Sequence, residues 1–384
     1  MIGSLAGLAL TRSIACGSGG PAQIDPDVAA LLADVGPRVV IPALERAATG
    51  ASDLQTAIEA WASAPADEPA RQAAQQAFLE AVAAWEPLEM AQVGPAASSL
   101  DAVGGLDLRD EILSYPTVNA CRVDQLTAEG AYEQPSFFDE NLVTSRGLDA
   151  LDRLLFADDA ANACGEDIDI NVEGTWVALG SDEIRARRAA YAAVLAQRLV
   201  DDLGRLTDAW VAEDFAGQLG AAGTGDSPYE TADQALQDVF GALFALETST
   251  QDRKLGRVLG LRDCDAATCP EDTLLPWSGA SQDWIVGDLA GFRVAFTGGD
   301  GAGLDDLLAA RGHQDVVDAL LLALDDAEAA AAALTVPVEE AAESDPTQAL
   351  AVHAAITAVT EILETDVATI LTLQLPTEVA GDND

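Results

Sequence analysis

Arg146-Gly147-Leu148-Asp149-Ala150-Leu151-Asp152-Arg153-Leu154-Leu155-Phe156 is the stretch that decides the fold class. It reads as a helix with an apolar face. Asp149 and Asp152 stand three residues apart, so they share one side of that helix. The rest of the chain agrees. Ala- and Leu-rich runs such as 327–334 and 349–375 are made of strong helix formers, and little alternates with the period of two that strands require. The expectation is an all-α protein. Only 5% of the residues are aromatic, so the core must be built mainly from Leu, Val, Ile and Ala.

The chain has 384 residues, enough for two ordinary domains or one large one. Its 65 acidic and 19 basic residues give a formal net charge of −46. A field of that sign repels phosphate backbones and argues against nucleic-acid binding. It also keeps an acidic surface soluble and attracts cations without specificity. Lys254 is the sole lysine.

The five cysteines point to a compartment. Ser13-Ile14-Ala15-Cys16 follows a short apolar start and resembles a bacterial lipobox, which makes Cys16 a candidate for lipidation. The glycine-rich residues 17–20 behind it would make a flexible tether. No basic residue precedes the apolar run, as an export signal would ordinarily have. The four remaining cysteines suit two disulfides in an oxidising environment. Cys264 and Cys269 can close a small loop, which leaves Cys121 to pair with Cys164. No segment offers the roughly 20 uninterrupted apolar residues of a membrane span.

Composition divides the chain into a leader and linker (1–26), a first helical bundle (27–220), a second bundle (221–376) and a disordered tail (377–384). The boundary near 220 rests on Gly223, Gly225 and Pro228. Helices are expected over 28–48, bent or broken by Pro37 and Pro42, then over 51–64, 69–91 and 137–156. A long helix starts at Ser181 and runs to 219, with four more at 231–248, 281–296, 315–334 and 346–375. Residues 93–106, rich in Gly, Pro and Ser, read as a loop. Four helices per half suit two four-helix-bundle-like domains packed side by side.

Asp149 has two competing readings. Arg153 lies four residues after it and Arg146 three before, so simple helix ion pairs are one. A cation site is the other, with Asp152 beside it and Glu89, Glu86 or Asp124 joining from other segments. His313 and His353 have no His-x-x-x-His partner, and no Gly-x-Ser-x-Gly elbow is present. Trp176, Trp277 and Trp284 read as buried anchors.

The stretch also resembles the Gly-x-His-x-x-Glu signature of the imelysin family of bacterial envelope proteins. Here Asp149 stands at the histidine position and Asp152 at the glutamate position. Further similarities lie in Glu89 to Pro95, in Asp107 to Asp124 with Tyr115-Pro116, and in Cys264 to Pro270. The resemblance implies two four-helix bundles, a place outside the cytoplasm and a role as an accessory in iron or other metal uptake. The ligand would be a cation, a metal complex or a partner protein at the cleft between the bundles. It places the protein in the cell envelope as a surface or periplasm-facing lipoprotein, at the outer membrane in preference to the inner. Some members are metal-dependent peptidases. With two carboxylates in place of His and Glu, the metal set Asp149, Asp152 and Glu89 suits iron or another hard divalent or trivalent cation better than zinc. A zinc hydrolase would also need further nitrogen ligands and a base, so catalysis is not expected. The alternatives are a metallopeptidase and a non-catalytic helical scaffold for protein partners.

Overall fold

Side-chain caps and prolines set the helix boundaries. The computed structural model describes residues 24–100 and 102–380. Cys16, and with it the lipidation expectation, lies outside them. Helix α1 (Pro26–Asp34) starts under Asp25, whose carboxylate accepts the Asp27 amide at 3.0 Å. Pro26 occupies the first turn, where a missing N–H leaves no bond unmade. Residues 35–40 then form a π-helical turn around Pro37, since proline removes a ladder donor and the backbone must rearrange to pass it. Helix α2 (Ile41–Ser63) restarts with Pro42 in its first turn and runs on through the segment expected as a separate helix.

Helix α3 (Glu68–Glu89) leads into the expected loop region, which contains only short turns. Helix α4 (Ala120–Glu129) begins under Asn119 and ends at Gly130 in the left-handed conformation. Helix α5 (Gly147–Phe156) is the quoted stretch. Helix α6 (Thr175–Thr207) is broken at Gly180, just before Ser181, where the sequence predicts a long helix to begin. It ends earlier than expected, in a second π-helical turn over 208–212, and a new short helix starts under Asp214. Helix α7 (Ala232–Ala242) starts under Thr231, whose hydroxyl accepts the Gln234 amide at 3.1 Å. A π-helix (Leu246–Gly256) follows. Helices α8 (Ser281–Thr297), α9 (Gln314–Ala332) and α10 (Thr347–Ile362) complete the set. Among the described residues there is no strand, and no helix is long and apolar enough to cross a membrane.

Helix α2 packs against α3 and α6, and α5 lies against α3, α4 and α6. The second half stacks α8, α9, α10 and the π-helix. The buried side chains of both halves form one continuous core, with Trp61, Trp85, Trp210 and Trp284 as its largest rings. Trp176 is buried in a small satellite cluster, and Trp277 is half-buried. Disulfides join Cys121 to Cys164 and Cys264 to Cys269, the expected pairing. Residues 377–380, assigned to a disordered tail from composition, instead form a short helical turn. Val379 is buried there, and an apolar side chain taken from water orders its segment.

The halves meet where α3 crosses α8. A Cβ added at Gly291 would lie 2.6 Å from the Pro87 Cα, so only glycine admits this approach. In the same seam Lys254, from the π-helix, donates to Asp288 of α8 at 2.8 and 3.0 Å and to Glu86 of α3. Thr250 donates to Asp288 at 2.8 Å. All three charged side chains are buried. Burial alone would lower the pKa of the Lys254 ammonium, but Asp288 and Glu86 outweigh it and hold it raised. Burial raises Glu86 well above the usual carboxylate range despite the lysine.

Lys254→Met leaves Glu86 and Asp288 buried without their cation. It should lower unfolding free energy by roughly 3–5 kcal/mol, read as a shift in the urea midpoint at unchanged slope.

Candidate functional site

Helix α5 is wedged against the segment before α4. Gly147 has φ 75°, and a Cβ there would meet the Ile112 carbonyl oxygen at 2.6 Å. That contact delivers Asp149 to the neighbouring backbone: its Oδ2 accepts the Ser114 amide at 2.6 Å and the Ser114 hydroxyl at 3.2 Å. One turn on, Asp152 Oδ2 accepts the Trp277 amide at 3.0 Å. Trp277 belongs to the second half, so Asp152 ties the bundles together. Both aspartates are buried. The Oδ1 atom of each meets no donor among the described residues.

Burial dominates their titration. It raises Asp149 to about 6, against the pull of the Ser114 hydrogen bonds and of Arg109. It raises Asp152 to about 8, with the neighbouring Asp149 charge adding to it.

The helix ion pairs expected for Asp149 do not form. Arg146 donates to Glu111 and to the Phe138 carbonyl, each at 2.7 Å. Arg153 donates to Asp124 at 2.7 Å and lies over the Trp277 ring at 5.0 Å. Asp124 is also within 3.5 Å of Arg188. Carboxylates on other segments, the buried Asp124 and the half-buried Glu111, hold these arginines instead. Glu89 does not join the two aspartates either. Arg109 donates its Nε to Glu89 Oε1 at 2.9 Å and Trp85 Nε1 donates to Oε2 at 2.8 Å. Coulombic attraction to Arg109 and Lys254 holds Glu89 below the usual carboxylate range, against its burial. Among the described residues, no group of three His, Cys, Asp or Glu side chains is placed to hold a metal ion.

What lies beside Glu89 is a cleft of about 650 Å³. One wall is the end of α3 and the loop carrying Leu100 and Arg109. The other is α7 and the π-helix, including Gly241, Ser249 and Arg253. Residues 374–378 cross one side, held by paired hydrogen bonds between Gln374 and Gln237 at 2.7 and 2.8 Å. Arg109 connects the cleft to the buried pair, since its charge acts on Asp149 behind it. The sequence marks Glu89 and Arg109 within conspicuous segments, but it gives no signal for Ser249 or Arg253. They lie on a π-helix, whose wider turn departs from the 3.6-residue period.

Asp152 and Asp149 bind protons more readily in the folded chain, at about 8 and about 6, than at the ordinary value of 3.8. Their contribution to stability is therefore greatest below about pH 4 and is lost as pH rises toward 8. Asp152→Asn removes that ionisation. In urea titrations its stability relative to the parent should rise with pH across this window, by roughly 1–3 kcal/mol at the upper end.

The imelysin family model matches residues 40–365. Among solved structures, an imelysin-like protein from Psychrobacter arcticum superposes with a TM-score of 0.69 at 20% identity, covering 92% of this chain and 98% of that one. A putative iron-regulated protein A precursor from Parabacteroides distasonis also gives 0.69, at 15% identity, covering 92% of this chain and 96% of that one. No curated protein matches the chain.

Proposed function

The chain belongs to the imelysin family, and from that premise we propose that it is a non-catalytic binding protein of the cell envelope serving iron uptake, with its ligand held in the cleft between the bundles. The cleft is the observation that carries this. Its volume of about 650 Å³ lies in the range of small-molecule sites, and a boundary between domains is where such sites collect. The Glu89–Arg109 pair gives it a fixed polar wall. The similarity to an iron-regulated protein A precursor supports iron as the metal concerned.

The state of the aspartates speaks against a bare ion held by them. Asp149 and Asp152 each spend one oxygen on a backbone amide, and Glu89 is committed to Arg109 and Trp85. Two open Oδ1 atoms are fewer than the six or more oxygens that hard cations such as calcium gather. The two disulfides support an oxidising compartment, and lipidation at Cys16 would anchor the protein to a membrane that it does not cross.

Gly241 lines the cleft, and an added side chain there meets open space. Gly241→Trp should keep the parent melting temperature while failing to support growth under iron limitation in a strain whose own copy is deleted. Growth equal to the parent would remove the cleft from the function. A protease assay should show no cleavage that a chelator abolishes.

A further inference from the structure

Arg253 is a cation of the cleft with no anionic partner among the described residues. It is half-buried and lines the cavity. Among the described residues no carboxylate, carbonyl or ring engages its guanidinium, in a chain with 65 acidic residues. Most of the acids that line the cleft are already partnered, and Glu378 is exposed to solvent. Glu89 and Asp110 pair with Arg109, Asp107 accepts from Ser99, and Asp238 accepts the Val103 amide at 3.2 Å.

One turn earlier on the π-helix, Ser249 also lines the cleft. It is 4% exposed, and its hydroxyl meets no partner among the described residues. A buried hydroxyl left unpaired is disfavoured, and an acceptor on a bound ligand would satisfy it. Arg253 is held in place from below: the Tyr115 hydroxyl donates to its carbonyl oxygen at 2.6 Å.

Part of the remaining wall is apolar, with Phe244, Ala245, Leu375 and Pro376 inside and Leu100, 92% exposed, at the mouth, while Gln92, Gln237 and Thr248 add polar groups elsewhere. A net charge of −46 disfavours polyanions, because the long-range field opposes each added negative charge.

Resting on the cleft as the ligand site, we propose that the ligand is a small molecule with a single carboxylate and an apolar body. The carboxylate sits on Arg253, with the Ser249 hydroxyl donating to it, and the apolar part lies along Phe244 and Leu375. A guanidinium fork matches a carboxylate in geometry as well as charge.

The test is calorimetric titration of the full chain with phenylpropionate and its uncharged amide, phenylpropionamide, near physiological ionic strength. The acid should bind about tenfold tighter than the amide or better. Arg253→Gln should weaken the acid by about tenfold and leave the amide unchanged. Arg253→Lys should fall between, since an ammonium supplies charge without the fork. Ser249→Ala should cost a few-fold. Arg46→Gln, at an exposed arginine outside the cleft, should change nothing, and melting curves confirm that each variant is folded. Equal affinity for acid and amide, undiminished acid binding by Arg253→Gln, or no binding of either compound overturns the assignment. If the two compounds bind equally and Gly241→Trp abolishes both, the carboxylate assignment falls while the cleft stands as the ligand site. If neither binds, the iron-limited growth assay still decides the function by itself.

Discussion

A buried ammonium survives only where carboxylates meet it, and that constraint organises the middle of this molecule. Lys254 draws together three elements from both halves: Glu86 on α3, Asp288 on α8 and its own π-helix. The glycine crossing of α3 and α8 brings the first two near enough to share one cation. The lysine in turn fixes the rotation of the π-helix. Ser249 and Arg253 stand beside it on that helix, and they face the cleft because Lys254 faces the seam. Such wide-turn segments occur at functional sites in other helical proteins for the same reason, as they re-aim side chains that a regular helix would turn elsewhere.

The two aspartates of α5 act in the same seam by another route. Each gives one oxygen to a backbone amide, one within its own half and one across to the other. A carboxylate that accepts an amide from a distant segment fixes that segment's position, and the cost of burying it appears as a raised pKa. The helix that carries them therefore serves as a joint as well as a wall. Its two open Oδ1 atoms remain the feature that a structural role alone does not use.

The all-α class, the loop over 93–106 and both disulfides were legible in the sequence because each depends on local chemistry. Ala and Leu runs, glycine and proline punctuation and cysteine spacing act over a few residues. The partners of Asp149 and Asp152 were not legible. Asp152 meets Trp277 across 125 residues of chain, and nothing in the spacing of α5 announces a backbone amide as the acceptor's partner. Arg146 and Arg153 stood at the right helical offsets for ion pairs, yet carboxylates on other elements took them. Lys254 stood out as the only lysine, but its place in the core depends on packing between halves. The π-helical turns escaped for a plainer reason: their period is not one that a pattern built on regular helices can register.

Lys254 is the chain's sole lysine. Elsewhere the chain's cationic side chains are guanidinium groups, so its whole store of side-chain primary amines is one atom, shut inside the folded core. Acylating reagents aimed at lysine would leave the native fold untouched along its surface. Any label found on Lys254 would have entered while the two halves stood apart, which makes one residue a chemical record of their separation.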